Sequence, residues 1–294
     1  MTKRYVMIKG GLGNQMSQYA FYLAIRKRFG GGVAPLNFCF SSEHNGFELK
    51  YVFSQIKTKF KKNYLLYLVA RVMATKKFGA FGGIVKKVIK AVMVDWINED
   101  YNYDYNPTVF VKSDALALFY LGGWHCEKYY ADVISDIKEE FKFDLKRLNS
   151  GNLDIIQRIM QNESVSIHFR CGDYHTVGSK LFGGVCDHSY FTNAIEKIKL
   201  LAPKCEFYIF SDDPTWVRNN FKIQGNFIDN NKGRDSWQDM LLMSSCKHNI
   251  ISNSSFSWWS AWLNQNPEKI VICPSKFIAS EDSTDVYPEK WIRV

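Results

Sequence analysis

The second half of the chain alternates short apolar runs with segments of helical composition, and this alternation restricts the fold more than any other feature. The first pair is a strand at 165–169 followed by a helix at 189–201, and the last strand is 269–273. Between them we predict strands at 207–210, 227–228 and 249–251 and helices at 214–220, 237–245 and about 256–263. Repeated β-then-α units join parallel strands through right-handed crossovers. The pattern therefore predicts an α/β fold built on a parallel sheet.

The amino-terminal segment opens another unit of the same kind. The run Tyr5–Ile8 indicates a strand, Gly10–Gly13 a turn, and Met16–Arg28 a helix with Asn14 as its N-cap. A polar stretch in mid-chain predicts an inter-domain connection near 145–160. Because 294 residues suit two domains of ordinary size, we predict domains at 1–150 and 151–294.

The net charge of +9 belongs to one segment. No Asp or Glu occurs between Leu49 and Val94, and the net charge becomes −2 once the basic residues of that stretch are set aside. There are eleven of them: Lys50, Lys57, Lys59, Lys61, Lys62, Arg71, Lys76, Lys77, Lys86, Lys87 and Lys90. Charge alone is compatible with nucleic acid, but no recognition motif accompanies it. We therefore predict no nucleic-acid partner.

We interpret the basic stretch, about 50–94, as a helical insertion in the first domain. One helix face within it would carry Ile84, Val85, Val88, Ile89 and Val92, opposite Lys86, Lys87 and Lys90. Two interpretations stay open at this stage. The helix either packs on the protein with a solvated lysine face, or lies on an anionic membrane surface.

The chain carries no pattern of a secreted or membrane-spanning protein. The short run that follows Thr2 and the first two basic residues is too brief for a secretory core, and no apolar run approaches roughly 20 residues. Seven cysteines without C-x-x-C spacing argue against a disulfide framework or a structural zinc site. We expect a cytoplasmic protein, with peripheral contact at the inner face of the membrane as an addition.

The glycine turn near the amino terminus is the first candidate site. A turn between a strand and a helix lets a ligand approach the backbone, and the helix N-terminus offers N–H groups to an anion. Gly11 and Gly13 give the close approach, and Asn14 and Gln15 add side-chain donors. The alternative is an ordinary tight turn with a capped helix. No dinucleotide or P-loop fingerprint is present.

The second candidate follows the strand at 165–169. His168 and Arg170 alternate onto one side at the carboxyl end of the strand, where parallel sheets bind ligands. An arginine there suits a phosphate group because its fork contacts two oxygens. Asp173 would lock Arg170 or cap the next turn. The alternative for His168 is a structural histidine.

Two further sites lie later in the chain. Asp212 and Asp213 end a strand; we predict Asp213 as a helix N-cap and discount a metal, because no further ligand lies nearby. Asn253, Ser254 and Ser255 stand at a helix N-terminus and could hold an anion.

The helices around this last turn carry aromatic and acidic residues. Phe256, Trp258, Trp259 and Trp262 are interpreted as helix core rather than a ligand platform. Asp239 would either cap its helix or accept the adjacent N–H groups of a guanine.

Four stretches together resemble the bacterial α-1,2-fucosyltransferases of glycosyltransferase family 11. They are GGLGNQMSQYA, HFRCGDY, FYIFSDDPTWVRNNF and DMLLMSSCKHNIISNSSFSWWSAWLN, and the match covers roughly half the chain. The resemblance implies a GT-B-like fold, in which two Rossmann-like domains face each other across a cleft. It implies an acceptor-side first domain and a second domain that binds GDP-β-L-fucose. It further implies no metal or cofactor, and inverting transfer to O2 of galactose in an oligosaccharide or a lipid-linked glycan.

The resemblance also implies roles for single residues. Arg170 would hold the pyrophosphate, His168 would line the nucleotide site and Asn14 would face both donor and acceptor. The backbone at Ser255 and Phe256 would bracket the diphosphate, with Asn253 and Ser254 beside it. Asp212 and Asp239 would complete the donor site, with Asp239 on guanine. Asp173 and His168 are the candidates for a general base.

The chain departs from the family pattern at several positions. Cys171 stands where members often have Arg, Ser17 where they have Phe, and Ser255 where they have Thr. The segment 122–130, GGWHCEKYY, differs from the family's G-Y/F-x-Q-S-E-K-Y-F, which would alter the acceptor pocket. Two other functions stay open: a transferase for another nucleotide sugar, and a non-catalytic carbohydrate-binding protein.

Overall fold

The chain forms two compact α/β units. A computed structural model describes residues 2–39, 44–68, 93–100, 102–171 and 181–294. The contacts divide the chain into Met1–Lys142 and Phe143–Val294. Each unit has its own sheet, and every strand pair in both sheets is parallel. The predicted α/β class with parallel sheets is therefore confirmed.

The first unit is built around a long buried helix. Its strands are β1 Lys3–Ile8, β2 Val33–Asn37, β3 Val94–Asn98 and β4 Ala117–Leu121, in the order β2-β1-β4-β3. Its described helices are α1 Leu12–Phe29, α2 Leu49–Val52 and α3 Ile134–Glu140. Helix α1 begins four residues earlier than predicted, with Gly11 as its N-cap. Asn14 therefore lies inside the first turn and is not the N-cap.

The second unit follows the predicted alternation closely. Its strands are β5 Ser164–Phe169, β6 Glu206–Ser211, β7 Asn226–Ile228, β8 His248–Ile250, β9 Val271–Cys273 and β10 Ile292–Arg293. Its helices are α4 Ser150–Gln161, α5 His188–Leu201, α6 Pro214–Asn220, α7 Trp237–Ser245 and α8 Ser255–Leu263. The strand order is β10-β9-β8-β5-β6-β7. The predicted helix Pro214–Asn220 is found with the same bounds, and Asp213 caps it as expected, accepting the Trp216 N–H at 2.9 Å.

The predicted connection near 145–160 is wrong, because residues 150–161 form helix α4. The residues before it already belong to the second unit. The Phe143 ring stacks on Trp237 of α7 at 6.0 Å, and the Asn149 N–H donates to Gln238 Oε1 at 2.9 Å. These contacts place the boundary after Lys142, eight residues before the predicted one.

Each sheet has one switch point, where the chain stops adding strands on one side of the first strand and adds them on the other side. In the first sheet it lies between β1 and β4, and in the second between β5 and β8. Open parallel α/β sheets bind ligands outside the carboxyl ends of their strands at such switch points. The two candidate turns, at Gly10–Gly13 and at His168–Arg170, stand at these positions.

Two predictions concern the basic segment and a membrane-spanning helix. Residues 84–92, assigned to an amphipathic helix, lie outside the described residues, so both interpretations of that helix stay open. Among the residues that are described, no helix has the length and apolar character needed to cross a bilayer.

Candidate active site

Arg170 stands at the switch point of the second sheet, directly after β5. Its backbone N–H donates to Ser252 Oγ at 3.2 Å, and Ser252 Oγ donates to the His168 carbonyl at 2.5 Å. Because Ser252 follows β8, these bonds tie the carboxyl ends of the two strands that flank the switch point. The Arg170 guanidinium donates from Nη1 to Asp212 Oδ2 at 2.7 Å.

Asp212, predicted to contact the donor, forms an ion pair with Arg170. Its second oxygen, Oδ1, accepts the Cys171 N–H at 2.8 Å, so both oxygens secure the residues that follow β5. The two side chains of the ion pair are about a quarter exposed, 27% and 26%. Asp212 thus does what the sequence assigned to Asp173, which lies outside the described residues. No group of three His, Cys, Asp or Glu in the described ranges is arranged to hold a metal ion.

His168 lies buried at the end of β5. Its Nδ1 is 2.7 Å from Ser257 Oγ, and its ring centroid is 5.8 Å from that of Phe256. Burial, together with the nearby Arg170 charge, lowers its pKa to about 4, against the opposing effect of Asp212. The imidazole is therefore neutral at pH 7 and a weak base. The His168 ring forms part of the wall of the candidate site and contributes no positive charge to it.

The N-terminus of α8 lies at the same switch point as Arg170, since α8 follows β8 after four residues. Ser254 is its N-cap and accepts the Phe256 N–H at 3.3 Å, and Ser255 and Phe256 are half-buried. The positive end of a nine-residue helix and an arginine thus meet at one sheet edge, which suits an anionic group.

Asn253, predicted to contact the donor, has a structural side chain. It is fully buried, and its Nδ2 donates to the carbonyls of Phe182 and Phe277 at 3.0 Å each. Its Oδ1 accepts from Cys186 Sγ at 3.3 Å. The side chain therefore connects one earlier and one later segment of the chain to the turn before α8.

The interpretation of the tryptophans as helix core is confirmed, because Trp258, Trp259 and Trp262 are all buried. Cys171 is buried as well and packs in the apolar core of the second unit, with Sγ 3.7 Å from Ser211 Oγ. Its side chain therefore lies in the core, although the family often has arginine here.

Asp239 lies in the first turn of α7 within a network of amides that the sequence reasoning missed. Its Oδ1 accepts from Asn231 Nδ2 at 2.7 Å, and burial raises its pKa to about 7. Asn152 Nδ2 donates to Asn231 Oδ1 and to Gln238 Oε1, both at 2.7 Å. Gln238 Nε2 is buried and has no hydrogen-bond partner among the described residues. The only available signal was the Asn and Gln content around 230–238.

The glycine turn of the first unit requires glycine at its first position. Gly10 has φ +81°, and a Cβ there would lie 2.7 Å from Asn14 Nδ2. Gly11 caps α1 without a side chain, Gly13 is buried in the first turn, and that turn has no acidic residue. Asn14 is half-exposed beside the turn. These features leave the helix end compatible with an anion.

Gln15 differs from its predicted role in donor binding. Its Nε2 donates to the carbonyls of Gly10 and Gly46 at 2.8 Å each, and its Oε1 accepts the Glu48 N–H at 2.9 Å and the Leu49 N–H at 3.3 Å. The side chain is fully buried. Gln15 therefore fastens the turn to the segment before α2.

Glu99 was also missed; it follows the edge strand β3 and contacts the turn that follows β4. Its Oε2 accepts the N–H groups of Gly123 and Trp124 at 2.7 Å each, and burial raises its pKa to about 8. Its Oε1 is buried without a hydrogen-bond partner in the described ranges. Glu99 fixes the turn after β4, in which Trp124 has φ +56°. Glu99 and Asp100 follow a strand that was not predicted, so there was no reason to assign them to a site from the sequence.

Two departures from the family pattern contact each other beside this turn. His125 Nδ1 lies 2.9 Å from Ser17 Oγ, and Ser17 Oγ donates to the Gly13 carbonyl at 3.3 Å. Burial lowers the pKa of His125 to about 3, so the ring is neutral. The altered segment after β4 is thereby linked to the glycine turn.

A chain of two parallel-sheet α/β units, with an arginine and a helix N-terminus at a switch point, has the arrangement of a glycosyltransferase with a GT-B-like fold. The family is shown directly by the sequence: the model of glycosyl transferase family 11 matches residues 4–294, and the chain belongs to that family. The recognition made from the four motifs is confirmed.

Several relatives are similar over much of the chain. An α-1,2-colitosyltransferase of Escherichia coli is 29% identical over 98% of this chain and 97% of its own length. The O-antigen biosynthesis glycosyltransferase WbnK of Escherichia coli is 29% identical over 99% and 100%. Galactoside α-(1,2)-fucosyltransferase 1 of Leontopithecus chrysomelas is 26% identical over 58% of this chain and 47% of its own length.

The solved structures confirm the fold class. The structure of POFUT1 in complex with GDP-fucose is similar at a TM-score of 0.50, with 12% identity, over 92% of this chain and 97% of that one. At this identity the similarity concerns the fold alone.

Proposed function

We propose that the protein transfers L-fucose from GDP-β-L-fucose to O2 of a terminal galactose in a glycan, with inversion and without a metal. The observation that carries this proposal is Arg170, clamped by Asp212 beside the N-terminus of α8. The names of two relatives specify α-1,2 transfer, one of them to a galactoside, and a third relative serves O-antigen synthesis.

The chemistry follows from where charge develops. As the bond between the sugar C1 and the diphosphate oxygen breaks, the ring becomes positive and GDP leaves with added negative charge. Without a metal, Arg170 and the N-terminus of α8 neutralise that charge. The acceptor hydroxyl attacks C1 from the opposite face and loses its proton to a base. His168 is too weakly basic for this step, which leaves Asp173 as the candidate.

Colitose is the main alternative donor sugar, because one full-length relative is named for its transfer. Colitose is L-fucose without the 3-hydroxyl, so the same diphosphate site would serve either GDP sugar. A non-catalytic carbohydrate-binding protein is disfavoured, because an ion-paired arginine beside a helix N-terminus has no use in holding a neutral glycan.

A donor panel tests the proposal. The purified protein would be given lactose with GDP-fucose, GDP-colitose or GDP-mannose in the presence of EDTA, and the product linkage would be assigned by NMR. We expect an α-1,2-fucosylated product and persistent turnover in EDTA. A preference for GDP-colitose would change the proposed donor sugar but not the proposed reaction. Glycan binding without GDP release from any donor would refute transfer.

The raised pKa of Asp239 predicts a pH-dependent affinity for the donor. An ionised carboxylate accepts two N–H groups of guanine, and protonation below pH 7 removes one acceptor position. We expect KM for GDP-fucose to rise as pH falls from 8 to 6. Asp239→Asn should raise KM by roughly 10-fold or more and flatten this dependence, since hydrogen bonds to charged groups contribute about 1.5–3 kcal/mol.

Asp154→Asn on the exposed face of α4 is a suitable control, because it removes the same charge from the same unit. It should leave both KM and its pH profile unchanged. A wild-type KM that does not vary between pH 6 and 8 would argue against an Asp239 contact with the base.

A further inference from the structure

An open cavity of about 570 Å³ lies in the first unit, at the opposite edge of the sheet from the glycine turn. Its walls include the start of β1, the start of β2 and the last turns of α1. The charged residues that line it are Lys3, Arg26, Lys57, Lys59, Lys61 and Glu140. Because the glycine turn follows the carboxyl end of β1, the cavity is separate from that turn.

The charge in this cavity is strongly unbalanced. Five cations face one carboxyl group, and within the described ranges none of the five forms an ion pair. Glu140 is engaged elsewhere, since its Oε2 accepts the Tyr19 hydroxyl at 2.5 Å. Burial raises the pKa of Glu140, against the opposing effects of the Tyr19 hydrogen bond and the Arg26 charge. Cations gathered around one cavity repel each other unless an anion enters.

Three of the lysines form a row on an extended segment that is fixed to the sheet. The Lys61 N–H donates to the Pro35 carbonyl, and the Asn37 N–H donates to the Lys61 carbonyl, both at 2.9 Å. Residues between the lysines contact Tyr19: Thr58 Oγ1 lies 2.7 Å from the tyrosine hydroxyl and the Phe60 ring 5.6 Å from its ring. Lys57, Lys59 and Lys61 alternate with these residues and, together with Thr58, line the cavity.

We propose that this cavity binds the phosphate group of an anionic ligand. Lysine ammonium groups bind phosphate as mobile point charges, and the volume lies in the usual range of small-ligand sites. The phosphate belongs either to a phospholipid headgroup at a membrane surface or to a soluble phosphate compound. Lys57, Lys59 and Lys61, which line the cavity, are three of the eleven basic residues of the basic segment. This proposal is independent of the donor sugar and of the transfer reaction.

The test compares two sources of phosphate. Co-sedimentation with phosphatidylglycerol vesicles and with phosphatidylcholine vesicles measures headgroup binding, and calorimetry with inorganic diphosphate measures the soluble source. The test variant is Lys57→Gln/Lys59→Gln/Lys61→Gln. The control is Lys197→Gln/Lys204→Gln/Lys222→Gln, which removes the same charge from exposed sites on the second unit. Circular dichroism and fucosyl transfer to lactose check that both variants fold.

We expect binding to phosphatidylglycerol vesicles, to diphosphate, or to both, and not to phosphatidylcholine. The cavity variant should lose on the order of 100-fold in affinity, because each of the three lysines near an anionic surface contributes about fivefold. The control should bind like the wild type. Binding of neither ligand by the wild type, or equal binding by the two variants, would overturn the proposal.

Discussion

Replacing Arg170 by lysine should lower kcat by a factor of about 100 or more while the protein stays folded. The guanidinium donates to Asp212 at 2.7 Å, and its planar fork of donors suits phosphate oxygens. A lysine has no such fork and would give up either Asp212 or the leaving group. Removing one donor from a charge-stabilising site costs about 10²–10³ in kcat. The measurement is kcat and KM for GDP-fucose, with circular dichroism for the fold.

Arg218→Lys is the matched control, since Arg218 forms a comparable ion pair with Asp229 at 3.0 Å on the exposed side of α6. It should retain nearly all activity. Asp212→Asn should have an intermediate kcat, because an amide oxygen can still accept the Cys171 N–H but no longer balances the charge of Arg170. A near-wild-type kcat in Arg170→Lys would show that Arg170 does not stabilise the leaving GDP.

The second sheet was predictable because its strands are buried on both faces. In β6, for example, the residues Phe207–Phe210 are all buried and form an unbroken run of large apolar and aromatic residues. In the first sheet only β1 was predicted. Strand β2 contains Pro35, and β3 is only half-buried, so neither shows a strong strand pattern. Helix α4 was missed because a polar stretch was taken to be a connection.

The position of the site was predictable, whereas its internal partners were not. Ligand-facing residues follow the carboxyl ends of strands, and that rule led to Arg170, His168 and Asp212. The rule gives no register between strands. Strand β5 pairs with β6 so that Phe169 lies opposite Ser211, and the next residues on each strand, Arg170 and Asp212, are therefore neighbours. From the sequence alone, Asp173 was the expected partner of Arg170, because it is the nearer acid along the chain.

Gln15→Leu should destabilise the first unit more than any other single change in the glycine turn. The leucine would leave the carbonyls of Gly10 and Gly46 and the N–H of Glu48 buried without their partner. Each unsatisfied buried group costs about 1–3 kcal/mol, so the free energy of unfolding should fall by at least about 3 kcal/mol. This corresponds to a lower melting temperature by roughly 10 °C. Thermal unfolding by circular dichroism measures the change.

The same variant distinguishes two roles for Gln15, binding the donor sugar nucleotide and holding the turn in place. The two roles predict different effects on KM and on the melting temperature. Loss of a donor contact would raise KM for GDP-fucose in a protein with an unchanged melting temperature, and that result would restore the role in donor binding. If Gln15 is structural, the substitution lowers the melting temperature first. KM then rises only because the turn that carries Asn14 is no longer held against the segment before α2. Gln157→Leu, an exposed position on α4, controls for the change in side-chain chemistry and should leave the melting temperature within about 2 °C of wild type. The hydrogen bonds of Gln15 reach partners more than thirty residues away, so a motif that is local in sequence owes its geometry to a distant segment.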